Sequence, residues 1–133
     1  MPAIRLERLS KTYREGERQH RVLADVDLEI PRGATIAIRG RTRVDMARIC
    51  HDLARICEQH LGLLGVPEGL DRYLFLLDAP VKGYGGLEHR WSSSLVCARD
   101  SLPIRQDDEV SNGYRTLLGL ASHEYFHLWN VKR

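Results

Sequence analysis

The hydrophobic pattern of the chain changes its period near residue 41, and this change most restricts the possible folds. Before it, apolar and polar residues alternate over 3–9 and 22–30, and residues 34–38 form a third short apolar run. Alternation with a period of two is typical of strands that bury one face. After it, apolar residues recur every three or four positions over 44–64, as in an amphipathic helix. The pattern predicts an α+β fold.

The remaining segments extend the sheet and add a second helix. The charged residues 10–19 and the glycine-rich residues 82–86 each predict a loop. The apolar run 73–77 indicates a buried strand, and residues 87–98 indicate another. Residues 113–131 carry apolar positions at helical spacing and predict the second helix.

Together these segments predict a small mixed or antiparallel sheet packed against two main helices. Residues 3–40 and 71–98 supply the strands, and residues 44–64 and 113–131 supply the helices. The 133 residues suffice for one ordinary domain. We divide them into an N-terminal β segment, residues 1–40, and a second segment, residues 41–133.

Composition excludes several classes of protein. With 29% charged and 43% hydrophobic residues, the chain is neither disordered nor collagenous. No apolar run approaches the roughly 18 residues of a membrane span, and charges near the amino end argue against an export signal. Three cysteines, at positions 50, 57 and 97, indicate buried thiols in a reducing compartment. We therefore expect a cytoplasmic protein without a membrane span.

Charge is distributed unevenly along the chain. Residues 1–43 hold ten Lys or Arg and six Asp or Glu, whereas residues 44–133 hold ten and twelve. The positive charges of the first segment alternate with acidic residues, and no aromatic stripe accompanies them. We therefore expect no nucleic-acid partner.

The second predicted helix contains a candidate metal site, the pattern H-E-x-x-H formed by His123, Glu124 and His127. Positions i and i+4 share one helix face, so both imidazoles can bind a single zinc ion. Glu124 projects near the same face and can accept a proton from a metal-bound water. In the alternative interpretation, both histidines are ordinary surface or core residues of the helix.

The residues around this pattern resemble the glycyl aminopeptidase family of gluzincin metallopeptidases. The resemblance runs from about residue 41 to residue 133 and is strongest in HEYFHLWNVKR at 123–133. Upstream, YGGLEHR at 84–90 resembles the family's glycine-rich strand, and RYLF at 72–75 resembles the strand before it.

The resemblance implies a role for each matching residue. His123 and His127 would bind one Zn²⁺, Glu124 would be the general base, and the substrate would be a peptide. Glu88 would recognise the free amino group of that peptide. The glycines at 85 and 86 would let the backbone approach a ligand closely, although a tight turn with Glu88 in a surface ion pair explains the same residues.

The first forty residues resemble a different family, the ATP-binding subunits of ABC transporters of the lipoprotein-release or macrolide-export type. The matching stretches are IRLERLSKTY at 4–13, LADVDLEIPRG at 23–33 and IAIRG at 36–40, and the resemblance implies adenine stacking at Tyr13. A phosphate-binding loop would need glycines, Lys and Ser or Thr after Gly40. Residues 40–47 read GRTRVDMA instead, so we expect no nucleotide-binding residues.

The peptidase resemblance also implies a third zinc ligand, a glutamate on a helix beyond H-E-x-x-H, whereas the chain ends six residues after His127. Substitute carboxylates are Glu88, Asp107, Asp108 and Glu109, or one from a second chain. We therefore expect a truncated zinc metallopeptidase domain of the aminopeptidase type, with weak zinc binding and slight activity. The alternatives are an ABC transporter ATP-binding fragment and a non-catalytic chimeric fragment. The sequence sets no expectation for the oligomeric state.

Overall fold

The structure is a computed structural model that describes residues 2–31, 36–40, 42–105 and 109–130. The chain divides into two compact units, Met1–Ala34 and Thr35–Arg133. Among the described residues, no helix is both long and apolar enough to cross a membrane.

The first unit is an antiparallel hairpin of two long strands, β1 (Pro2–Glu15) and β2 (Arg18–Pro31). Gly16 lies in the two-residue turn with a φ of 61°, a left-handed conformation that favours glycine. The prediction of a loop over 10–19 is therefore wrong. Charged side chains suggested a loop, but in an exposed hairpin they point into solvent while the backbone ladder continues beneath them.

The hairpin ladder has several register shifts, and polar side chains bond the backbone beside them. Arg8 and Asp25 both have positive φ, at 48° and 47°. The Asp27 carboxylate accepts a hydrogen bond from the Arg8 N–H at 2.7 Å, and the Ser10 hydroxyl accepts one from the Asp25 N–H at 3.0 Å. These side chains satisfy backbone donors that the interrupted ladder leaves without a strand partner.

The second unit contains a four-stranded sheet in the order β3–β4–β6–β5 and two helices. Strands β3, β4 and β6 are parallel, and β5 pairs with β6 in the antiparallel direction. This arrangement confirms the predicted α+β class, the mixed sheet and the C-terminal helix. The elements are β3 (Ile36–Arg39), α1 (Met46–Leu64), β4 (Leu74–Asp78), β5 (Tyr84–Glu88), β6 (Ser92–Cys97), a 3-10 turn (Arg99–Ser101) and α2 (Asn112–Phe126).

Three details of the sequence prediction need correction. Among the described residues of the first forty, those of β3 alone join the large sheet, because β1 and β2 pair with each other. The segment predicted as a loop at 82–86 enters β5 at Tyr84, and the single strand predicted at 87–98 is the end of β5 followed by β6. A hydrogen bond of 2.7 Å from the His89 N–H to the Ser92 carbonyl closes the turn between them.

Local capping explains why α1 begins at Met46, two residues after the predicted start at residue 44, and ends at the predicted residue 64. The Asp45 carboxylate accepts a hydrogen bond from the Arg48 N–H at 3.1 Å and caps the amino end. Gly65 ends the helix with a φ of 79°, and its N–H donates to the Leu61 carbonyl at 3.0 Å. Helix α1 buries Ile49 and Leu53 against the core.

The core lies between the helices and alternate residues of the strands. Strand β4 buries Phe75 and Leu77, and β6 buries Ser93, Leu95 and Cys97. Helix α2 contributes a buried face that consists of Tyr114, Leu117, Leu120, Ala121, Glu124 and Tyr125. This face sets the rotation of α2 about its axis.

Tyr125 is the centre of an aromatic cluster, and it is only 2% exposed. Its ring centroid lies 4.8 Å from that of Tyr73 and 6.1 Å from that of Phe75, and its ring also contacts those of His60 and Trp129. Edge-to-face contacts of this kind stabilise a core beyond the area they bury. Tyr125 therefore anchors α2 on the sheet at the residue directly after Glu124.

We expect Tyr125→Ala to lower the free energy of unfolding by about 3–5 kcal/mol, because it empties the middle of this cluster. The control Tyr84→Ala removes a ring that is 66% exposed and should change stability by less than about 0.5 kcal/mol. Urea unfolding followed by tryptophan fluorescence measures both, since Trp91 and Trp129 both lie in the second unit. Equal losses in the two variants would contradict the anchoring role of Tyr125.

Candidate metal centre on helix α2

Helix α2 presents the two histidines of the H-E-x-x-H pattern on its outer side. Ser111 caps its amino end by accepting a hydrogen bond from the Tyr114 N–H at 3.0 Å. The buried residues of α2 face the core, which leaves His123 exposed and His127 half-buried, one turn apart. His127 is the cap residue itself, so α2 ends at Phe126 rather than at the predicted residue 131.

The two imidazole rings approach each other with their Nε2 atoms. The Nε2 atoms of His123 and His127 are 3.2 Å apart, and the ring planes are at 87°. His127 Nδ1 donates to the Asn130 carbonyl oxygen at 2.9 Å, so in a neutral ring the Nε2 lone pair is available to a ligand. Two nitrogens bound to a tetrahedral zinc at about 2.0–2.1 Å lie about 3.3 Å apart. The observed spacing therefore fits a single zinc ion.

Glu124 lies beside this pair, and its carboxylate is tightly enclosed. Its side chain is 5% exposed, and Oε2 has no hydrogen-bond partner among the described residues. A Cβ atom at Gly86 would lie 2.5 Å from Glu124 Oε1 and 2.8 Å from Cγ, so β5 passes this close only because residue 86 is glycine. A buried oxygen without a partner costs free energy unless it binds a proton, a water molecule or a cation.

Glu88, the last residue of β5, brings a second carboxylate to the same place. One of its oxygens, one of Glu124 and a ring nitrogen of His127 all lie within 4.8 Å of one another. Of the predicted site residues, the structure thus gathers His127, Glu124 and Glu88 in one cluster, with Gly86 against Glu124 and His123 beside His127. A Cβ atom at Gly85 would meet nothing within 4 Å, so the space around that residue does not require glycine. Substrate binding by these β5 residues stays a prediction.

Two buried hydroxyl groups also have no hydrogen-bond partner at bonding distance and angle among the described residues. The sequence analysis did not predict either of them as a site residue. They belong to Tyr73 and Ser93, and Ser93 pairs with Glu88 across the sheet. Burial, with a smaller contribution from negative charges that include Glu124 and Glu88, raises the pKa of Tyr73 to about 12. The tyrosine is therefore a neutral hydroxyl near two carboxylates. The sequence signal for Ser93 is that it shares the buried face of β6 with Leu95 and Cys97, where a polar residue is unusual.

A cavity of about 680 Å³ is lined by residues that come shortly after Glu88 and His127 in the sequence. Arg90 and Trp91 follow Glu88 closely, and Leu128 and Trp129 follow His127 directly. Its walls combine aromatic surface with a few charged groups, as is typical of ligand cavities.

Among the other substitute carboxylates named from the sequence, Glu109 is described by the structure and is not part of this cluster. The backbone carbonyl of Glu109 accepts a hydrogen bond from the Arg48 guanidinium at 3.3 Å, just before the amino end of α2. A helix of 15 residues is about 22 Å long, which separates Glu109 from His127. Asp107 and Asp108 lie outside the described residues.

The residues that would form a nucleotide site have other tasks here. A Cβ atom at Gly40 would lie 2.6 Å from the Ala79 carbonyl oxygen, so this glycine permits close packing between backbone segments. Asp45 caps α1, as described above. The Tyr13 ring is 58% exposed and has the Lys11 ammonium 5.2 Å from its centroid.

Comparisons with known proteins confirm both resemblances seen in the sequence. The family model of the M61 glycyl aminopeptidases matches residues 116–133. The crystal structure of an aminopeptidase N family protein from Idiomarina loihiensis matches 93% of this chain with a TM-score of 0.69 and 34% identity. The lipoprotein-releasing system ATP-binding protein LolD of Xylella fastidiosa (strain 9a5c) is 42% identical over 73 residues, 55% of this chain. The chain spans 19% of the solved protein and 27% of LolD.

Proposed function

We propose that residues 41–133 are part of the catalytic domain of a zinc metallopeptidase that acts on peptides near a free amino terminus. One observation carries the proposal: two Nε2 atoms 3.2 Å apart lie on the helix that also holds a buried carboxylate with an unpartnered oxygen. In this proposal His123 and His127 bind one Zn²⁺, and Glu124 is the general base. The similarity to aminopeptidases supports the substrate class.

Each side chain has a distinct task in this mechanism. When bound, zinc polarises a peptide carbonyl and makes a coordinated water more acidic. Glu124 would serve as the proton acceptor through its unpartnered Oε2, and the backbone of Gly86, packed against the carboxylate, limits its movement. The cavity lined by Arg90, Trp91, Leu128 and Trp129 offers room for substrate side chains.

We further propose that this activity is impaired in the 133-residue polypeptide. The H-E-x-x-H motif supplies two protein ligands, whereas catalytic zinc sites generally use three plus an open position. Fewer ligands mean a lower affinity for the ion, so zinc is bound weakly and turnover is slight.

A chimeric origin of the chain is the second part of the proposal. Residues 1–40 carry the transporter resemblance without a phosphate-binding loop, and residues 41–133 carry the peptidase resemblance. The match to LolD supports this interpretation. Gly40 and Asp45 lie where a phosphate-binding loop would be, and both have structural roles instead. We therefore propose that the first segment does not bind ATP.

Zinc titration by calorimetry tests the metal site directly. We expect His123→Ala to weaken zinc binding by about 100-fold or more. Loss of a residue that only hydrogen-bonds a metal ligand already costs about 10–100-fold in affinity, and loss of a ligand should cost at least as much. The control His51→Ala removes an exposed histidine of α1 and should leave the affinity unchanged. If His123→Ala binds zinc as tightly as the unmodified chain, the proposed metal site is wrong.

Hydrolysis of glycyl p-nitroanilide tests the general base. We expect slow zinc-dependent release that Glu124→Gln lowers by about 10²–10⁴-fold, because the amide accepts no proton. Zinc affinity should change little in the same variant. Rapid release that Glu124→Gln abolishes would support catalysis and contradict the impairment, whereas release independent of Glu124 would contradict the base assignment.

Gly86→Ala tests the enclosure of Glu124. The added methyl group collides with the carboxylate, so we expect a loss of about 1–3 kcal/mol in the free energy of unfolding and at least tenfold slower hydrolysis. Gly85→Ala is the matched control, because its methyl group enters open space one residue away. Equal behaviour of the two variants in urea unfolding and turnover would show that the close approach of β5 to Glu124 has no consequence.

A further inference from the structure

We infer that the hairpin of the first unit docks on the hairpin of a second copy of this chain. The two β2 strands pair edge to edge in the antiparallel direction, which gives a four-stranded sheet in the order β1–β2–β2–β1. A two-fold axis relates the copies, so each contributes the same edge. The inference concerns the first unit alone and does not depend on the metal centre.

The hairpin has no core of its own among its described side chains. All of them are exposed except that of Leu6, which is half-buried, and the large side chains of Leu9 and Tyr13 are 40% and 58% exposed. An isolated two-stranded hairpin is at best marginally stable in water, and stable sheets generally have three or more strands. The hairpin therefore gains stability when further strands pair with it.

Both strands of the hairpin have an edge at which another strand can pair. Among the described strands, β1 and β2 pair only with each other, so each has a second edge of backbone N–H and C=O groups that no described strand binds. The register of β2 with β1 is regular over 18–21 and 28–30 and shifts between them, where Asp25 has a positive φ. A two-fold axis through the middle of β2 places the first regular stretch of each copy beside the second regular stretch of the other. The irregular part then lies at the axis and interrupts neither stretch.

The distribution of charge favours the edge of β2 over the edge of β1. Along β2, the two basic residues lie near the turn and the three acidic residues lie towards the other end, at positions Arg18, Arg21, Asp25, Asp27 and Glu29. Antiparallel pairing of two β2 strands therefore brings a basic half beside an acidic half, twice by symmetry. Strand β1 carries four basic and two acidic residues, and each of its halves is net positive. Two β1 strands would repel each other.

The same separation of charge holds for the hairpin as a whole. Residues 10–22, around the turn, include four basic and two acidic residues, whereas residues 2–9 and 23–31 together include two basic and four acidic ones. Local ion pairs, such as Arg5 with Glu29 at 2.7 Å and Arg21 with Asp25 at 3.6 Å, are included in this balance. All twelve charged side chains are exposed and can face a partner.

Distance decides whether these charges act within one hairpin or between two. Arg18 and Glu29 are eleven residues apart on one strand, which is about 36 Å. At physiological ionic strength, charges are screened beyond about 8 Å, so the two ends of one hairpin do not attract each other. Neighbouring strands of a sheet are only about 4.8 Å apart. A second hairpin in the antiparallel direction therefore brings opposite charges within the screening length at both ends.

Sedimentation equilibrium of the full chain tests the inference, from about 1 μM to about 1 mM protein. A chelator is present throughout, so that a metal ion shared between chains cannot cause association. Each sample is measured at about 0.1 M and about 1 M salt, where the screening length is about 10 Å and about 3 Å. The variants are Arg18→Glu, Glu29→Lys and an equimolar mixture of the two. Arg14→Glu is the matched control, because it makes the same charge change near the turn but on β1.

We expect the unmodified chain to form a dimer reversibly, and more weakly at the higher salt concentration. Arg18→Glu and Glu29→Lys should each weaken the dimer by about tenfold, because the two-fold axis repeats each lost pair. The mixture should regain the original affinity to within about threefold, since each variant supplies the charge that the other lacks. Arg14→Glu should weaken the dimer by less than about threefold, because β1 lies one strand further from the partner.

A chain that stays monomeric at every concentration would overturn the inference, and so would species larger than a dimer, which would show pairing through β1 as well. An effect of Arg14→Glu as large as that of Arg18→Glu would overturn the choice of edge. Failure of the mixture to regain affinity would overturn the antiparallel arrangement.

Far-UV circular dichroism verifies that each variant keeps its strand content. Arg18→Gln and Glu29→Gln replace any charge reversal that loses it. Each of these neutral variants should weaken the dimer by about threefold, and unchanged affinity in both would overturn the inference.

Discussion

The close approach of strand β5 to helix α2 is the constraint on which the candidate site depends. Gly86 has no side chain, so the Glu124 carboxylate fits directly against the strand backbone. This contact excludes water from one side of the carboxylate and holds it next to His127. It also brings Glu88, two residues further along the strand, to the same cluster. A larger residue at position 86 would separate the two halves of the site.

The aromatic residues around Tyr125 give α2 its orientation on this strand. Tyr125 buries its ring between Tyr73 and Phe75, so the neighbouring Glu124 faces β5 and the histidines face outward. Beyond the end of α2, the Trp129 indole N–H donates to the Gly65 carbonyl at 3.0 Å. The Trp129 ring also stacks on His60 of α1 at 16° between planes. The segment that follows α2 is thus attached to α1 and to the residue that ends it.

The sequence predicted those features that depend on local chemistry. Apolar spacing predicted α1 over 44–64, and the structure adds the Asp45 cap and Gly65 as the local features that set its ends. Residues 10–19 of the hairpin, by contrast, have charged and exposed side chains, so the side-chain pattern predicted a loop where the two strands continue. The end of α2 was misplaced because apolar spacing continues into a turn, where the Leu128 N–H bonds to Tyr125 and the Trp129 N–H to Phe126. The contact of Gly86 with Glu124 joins residues 38 positions apart, and no local pattern specifies it.

The separation in sequence between Glu88 and His127 has a thermodynamic consequence. Because donors from an edge strand and from the last helix meet only after the sheet and α2 have packed, the unfolded chain has no equivalent binding site. Under the proposed function, a metal ion bound at the cluster would add its binding free energy to the stability of the second unit. At a free concentration 100 times the dissociation constant this addition is about 2.7 kcal/mol, a large share of the marginal stability of a small domain. Under the same proposal, the supply of metal would set part of the stability of the second unit.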